Sequence, residues 1–175
     1  MYLVSIYFDD NTMRKIQGYI NKVAKNSGNN FMIDNNVPPH ITIAGFQSNN
    51  ENNVIEVLDK IIKNLDIGDI TFASIGIFKS SVIYLAPVLN QYLHKLSLDI
   101  HENLSLINCI EINKFYILFN WMPHVTIAKK LNREELFLGL EQIEKSFSIF
   151  TGKITKISLS KTNPYKDIFI WNLWY

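Results

Sequence analysis

One hexapeptide occurs twice in this chain, as Pro39-His40-Ile41-Thr42-Ile43-Ala44 and as Pro123-His124-Val125-Thr126-Ile127-Ala128. The copies differ only by Ile against Val. In each, polar residues alternate with β-branched apolar ones, the period-two pattern of a strand with one buried face. His and Thr then share the other face, with Cα atoms ~7 Å apart. A proline directly before each histidine forces an extended approach. Whatever the fold, it must house two strands that each hold an imidazole beside a hydroxyl.

The rest of the chain arranges itself around the repeat. Tyr2 to Phe8 reads as a first strand, and pairing beside a motif strand would put Ser5 and Tyr7 on the cleft face. Met13, Ile16, Ile20, Val23 and Ala24 recur at helical spacing until Ser27-Gly28 stop them. After the first motif, Ser48 with Glu51 predicts a capping box, and Val54, Val57, Leu58, Ile61, Ile62 and Leu65 form the stripe of a second helix. Residues 70–78 and 82–86 read as a hairpin around Lys79-Ser80-Ser81. Leu89 to Leu104 predicts a third helix, and the aromatic run Lys114 to Trp121 an extended stretch. Asn132 with Glu135 resembles a cap for a fourth helix, and strands at about 150–160 and 168–174 close the chain. Each half thus runs helix, motif strand, helix, strand, strand. One domain built by duplication is expected, with lobes over about 1–87 and 88–175.

Composition narrows the function classes. Hydrophobic residues make up 47% of 175, enough for a sizeable core and too many for disorder. Seventeen basic and sixteen acidic residues leave a net charge of +1, so no broad footprint for long duplex nucleic acid exists and any phosphate must be held locally. Cys109, the single cysteine, precludes an internal disulfide, fits a reducing compartment and reads as a small buried hydrophobe. The opening strand lacks the basic prelude of a signal peptide, and no run of about eighteen apolar residues occurs. A cytoplasmic location, no membrane association and a monomer are the expectations.

The paired His-x-Thr motifs, 124 − 40 = 84 residues apart, resemble those of the two-histidine phosphoesterase superfamily, which includes the bacterial 2'-5' RNA ligase-like cyclic phosphodiesterases. The opening strand, the helix-sized segments after each motif and the hairpin Ile75-Gly76-Ile77-Phe78 to Ile83-Tyr84-Leu85-Ala86-Pro87 suit that family too, so the resemblance spans nearly the whole chain. It implies an α+β fold of two pseudo-symmetric lobes, each an antiparallel sheet with two helices, around a central cleft. It also implies that His40, Thr42, His124 and Thr126 meet there as the catalytic set, with His40 the proton donor and His124 the acceptor.

Those residue types suit phosphodiester opening. Imidazoles that titrate near about 6.5 can supply a base for the attacking water or hydroxyl and an acid for the departing sugar oxygen. Threonine hydroxyls can donate to the non-bridging oxygens. No Asp/Glu cluster and no Cys/His ligand spacing accompanies either motif, so neither metal nor cofactor is expected. His94 and His101, seven apart, lack helical metal-ligand spacing and read as surface or packing histidines.

Candidates for substrate contact are Tyr7, Phe46, Phe78, Tyr84, Lys79, Lys129 and Tyr165, with Phe78–Lys79 and Tyr165 preferred as rims because loops carry recognition. The expected activity is hydrolysis of 2',3'-cyclic phosphate ends or 2'-5' linkages in small RNA, an oligonucleotide or a cyclic nucleotide, in RNA processing. The alternatives are a hydrolase of cyclic or oligoadenylate signalling nucleotides and, in another class, a non-catalytic nucleotide or RNA-binding module. Without a P-loop or a nucleotide-charging lysine motif, cleavage is favoured over joining.

Overall fold

The computed structural model describes residues 1–174. In chain order its elements are β1 (Tyr2–Phe8), α1 (Asp10–Ser27), α2 (Phe31–Asp34), β2 (Ile41–Gln47), α3 (Glu51–Ile62), β3 (Gly68–Phe78), β4 (Val82–Pro87), α4 (Gln91–Ser105), β5 (Glu111–Ile112), β6 (Val125–Lys129), α5 (Arg133–Glu144), β7 (Phe150–Lys161) and β8 (Lys166–Asn172). The motif strands are β2 and β6. The duplicated order is present: α1-β2-α3-β3-β4 is followed by α4-β6-α5-β7-β8.

Local chemistry sets the helix ends. Asp9 caps α1 by accepting the N–H groups of Asn11 and Thr12, and Gly28 ends it at φ 75°, where a side chain would be strained. The expected capping box of α5 forms between Asn132 and Glu135. The one predicted for the second helix does not. Asn50 caps α3 instead, accepting the N–H of Asn53, because Glu51 is drawn into tertiary contacts with the Tyr2 hydroxyl and the Lys161 ammonium.

Among the described residues the sheet runs in the order β1-β2-β6-β4-β3-β7-β8, with β5 on β2 and neighbours antiparallel. A further antiparallel pairing of β1 with β7 closes this path into a ring. Two helices cover each end: α1 packs on α5 and β6, and α4 on α3 and β2. The chain is α+β as expected, but its midpoint at Pro87 is no boundary in the sheet. Helix α1 of the first half covers β6 of the second, and α4 of the second covers β2 of the first. Strand β1, which precedes the first repeat, bridges β2 to β7.

Alternation in the motif strands has the predicted outcome. Ile41, Ile43, Val125 and Ile127 are 0% exposed and belong to the core, which leaves the opposite face to His and Thr. Phe46 also goes to the core, stacked on Tyr2 at 5.7 Å, so it cannot meet a substrate. Cys109 is exposed, at φ 62° in the turn after α4, and is not a core residue. The run 114–121 is not extended either: Lys114–Tyr116 forms a 3-10 turn capped by Asn113, and Phe119 lies at φ 65°. Buried His101 holds that turn in place, with one ring nitrogen on the Ser97 carbonyl and the other on that of Tyr116. It is a packing histidine, whereas His94 is exposed beside Phe119. Among the described residues no helix is long and apolar enough to cross a membrane.

Candidate active site

The motif strands meet at the register pair Ile41 opposite Val125. Continuing that antiparallel register sets His40 beside Thr126 and Thr42 beside His124, a pseudo-two-fold arrangement about the Ile–Val pair. All four polar residues line one cleft of about 410 Å³. The repeat therefore does bring its two copies together.

Both rings are oriented in the same way. His40 Nδ1 lies 2.8 Å from the Pro38 carbonyl and His124 Nδ1 2.8 Å from the Met122 carbonyl. A carbonyl only accepts, so each Nδ1 carries its hydrogen and each Nε2 is left to exchange a proton. The intervening Pro39 and Pro123 give this geometry a sequence cause, since each proline restrains the residue before it and so fixes the carbonyl two places ahead of the histidine.

Burial holds the His40 imidazole below its ordinary pKa. The Pro38 carbonyl opposes that shift, and the charge of His124 adds to it. Asp167 raises, and Lys129 lowers, the hold of His40 on its proton. Burial depresses His124 as well, opposed by the Met122 carbonyl. Charge on one imidazole thus disfavours charge on the other, which suits a pair that carries one proton between them.

Aromatic side chains bracket each histidine. The Tyr165 ring lies 5.1 Å from that of His40, tilted by 33°, and the Tyr7 ring meets His40 edge-on at 6.5 Å. Tyr7 donates to the Asp167 carboxylate at 2.9 Å, so the 2.8 Å contact between phenols is a bond from Tyr165 to Tyr7. Burial pushes the ionisation of both phenols up, which keeps them as donors. Around His124, Phe78 lies edge-on at 4.8 Å and Tyr84 at 5.5 Å, and these two stack on each other at 4.1 Å. Tyr84 can lie so close because it crosses Gly76, where a Cβ would overlap its ring.

Of the residues predicted to touch substrate, Phe78, Lys129 and Tyr165 line the cleft. Tyr7 and Tyr84 stand one layer behind, supporting those walls. Lys79 does not line it; at φ 46° on the hairpin tip it belongs to a neighbouring hollow. Sequence reasoning missed Asp167, Tyr116 and Trp121, whose indole N–H donates to the Thr42 carbonyl at 2.8 Å. The proximity of Asp167 to Tyr165 and of Trp121 to His124 along the chain was the only available signal. Among the described residues the cleft contains one lysine and no carboxylate, a lining suited to an anion.

Known structures share this fold. A phosphoesterase matches with a TM-score of 0.63 at 14% identity, covering 99% of this chain and 98% of that one. E. coli LigT complexed with 3'-AMP gives 0.63 at 12% identity, with 99% and 98% covered. A Thermus thermophilus protein, TT0787, gives 0.67 at 12% identity, with 98% and 97% covered. No curated protein matches the sequence. The family model of the 2'-5' RNA ligase superfamily matches residues 12–164, a span that includes both motif strands, and the chain belongs to that superfamily.

Proposed function

We propose that this protein is a metal-independent phosphodiesterase that opens 2',3'-cyclic phosphate ends or 2'-5' linkages by paired-histidine acid–base catalysis. The observation that supports this most directly is the Ile41–Val125 register, which puts two identically oriented imidazoles in one cleft that, among the described residues, no carboxylate lines. In the reaction a neutral imidazole takes a proton from water as the water oxygen bonds to phosphorus. The P–O bond to the departing sugar oxygen breaks, and the protonated imidazole gives that oxygen its proton. The two histidines exchange roles in charge, and the net change is addition of one water. Thr42 and Thr126 donate to the non-bridging oxygens as charge builds on them. On the family resemblance His40 is assigned as the acid and His124 as the base, and the pseudo-two-fold arrangement of the pair lets the two exchange these roles.

The test is hydrolysis of adenosine 2',3'-cyclic phosphate and of adenylyl-(2'-5')-adenosine in excess chelator. Turnover should persist, and His40→Ala and His124→Ala should each lower kcat by about 10²- to 10⁴-fold in a folded chain. A pure preparation inert on both substrates overturns the reading.

A further inference from the structure

Beside the catalytic cleft lies a second hollow of about 430 Å³, and Phe78, Val82, Tyr116 and His124 form walls of both. Its other face comes from the 3-10 turn and the strand approach that follow β5, with Phe115, Trp121 and Met122, and from the hairpin tip. Among the described residues that line it, the charged side chains are Lys79 and Lys114, both cationic. Two of its apolar walls are exposed: Phe115 is 66% exposed and Met122 46%. Isolated apolar residues on a surface are ordinary, but a cluster of them at the mouth of a cleft marks a binding surface.

Aromatic faces beside cations are what a nucleotide needs, since every base has a stackable face and every linkage a negative charge. The volume is that of a small-ligand site. We propose that this hollow is a second nucleoside-binding subsite. One nucleoside occupies the cleft on the His40 and Tyr165 side of the reacting phosphate, and the next lies past His124 with its base on Phe115 and any further phosphate of a longer chain near Lys114 and Lys79. The preferred substrate is then an oligonucleotide rather than a mononucleotide. This rests on the hydrolytic reading above and adds to it a site formed by a segment outside both motifs.

The experiment compares kcat/KM for adenylyl-(2'-5')-adenosine and for adenosine 2',3'-cyclic phosphate in the wild type, Phe115→Ala and Lys114→Ala. Phe115→Ala should lower the dinucleotide value about ten-fold, the scale of one base stack, and change the cyclic mononucleotide value by less than about two-fold. Lys114→Ala should lower the value for the same dinucleotide carrying a further terminal phosphate, with a loss that shrinks at about 1 M salt, where the Debye length is about 3 Å. Equal losses on both substrates, or none on the dinucleotide, overturn the subsite and leave the paired-histidine reading intact. Calorimetric binding of the dinucleotide to His40→Ala, with and without Phe115→Ala, reads the subsite without turnover: about ten-fold weaker binding supports it, and unchanged binding overturns it. If the wild type turns over neither substrate, the hydrolytic reading fails and this binding comparison alone decides the subsite.

Discussion

The hydroxyl of Tyr165 donates to that of Tyr7 across 2.8 Å of space and 158 residues of chain. Tyr7 donates in turn to Asp167, so the turn that carries Tyr165 is fastened to β1. The consequence is a fixed Tyr165 ring against His40. With its phenol oxygen engaged, Tyr165 presents a ring rather than a free hydroxyl to the cleft.

Tyr7→Phe removes the middle of this relay and leaves a half-buried carboxylate without its donor. The variant should lose about 1–3 kcal/mol in urea unfolding. It should also raise KM more than it lowers kcat, because the acid and base remain while the Tyr165 wall loosens. A fall in kcat with KM unchanged would give Tyr7 a different role.

The acid limb of activity follows from burial. Both imidazoles are held below about 6.5, so the state with one proton between them is most populated on the acid side of that value. The kcat/KM profile should be bell-shaped, with its maximum below about pH 6.5. A maximum above about pH 8 contradicts the assignment.

The same shifts affect stability. In the unfolded chain these imidazoles take protons at about 6.5, whereas the folded chain takes them only at lower pH. Below that value the unfolded state holds more protons, so stability is full above it and is lost as pH falls through the folded values. Replacing both histidines by alanine should flatten the pH dependence of urea midpoints between about pH 7 and 5. An equally steep or steeper loss in the double variant excludes these groups as its source.

Gly76 carries a prediction of its own. A Cβ there would overlap the Tyr84 ring, which stacks on Phe78 and touches His124. Gly76→Ala should cost about 1–3 kcal/mol through overpacking, and activity should fall about ten-fold as His124 loses its alignment, an effect of the size that ångström misplacement produces. Circular dichroism melts and kcat together check it.

The parts legible in the sequence were those encoded locally. A period of two assigned His40, Thr42, His124 and Thr126 to one face, and a period near 3.6 located the long helices. Pairing between distant strands has no local signature. The closure of β1 onto β7, the exchange of helices between halves and the Tyr165–Tyr7–Asp167 relay all lay beyond reach for that reason. Lys79 lines the neighbouring hollow and not the cleft, a placement on the hairpin tip that no local pattern reports. The aromatic run 114–121 imitated a strand in composition, whereas it opens with a 3-10 turn capped by Asn113.

The central claim is that His40 and His124 act on one phosphate. Nitrogen NMR of labelled imidazoles during titration with inorganic phosphate tests it directly, with His40→Ala and His124→Ala supplying the assignments. Nε2 of both rings should shift along a single saturation curve, and either substitution should abolish the response of the other ring at the same phosphate concentration. Two curves with separate midpoints, or a response confined to one ring, would contradict it.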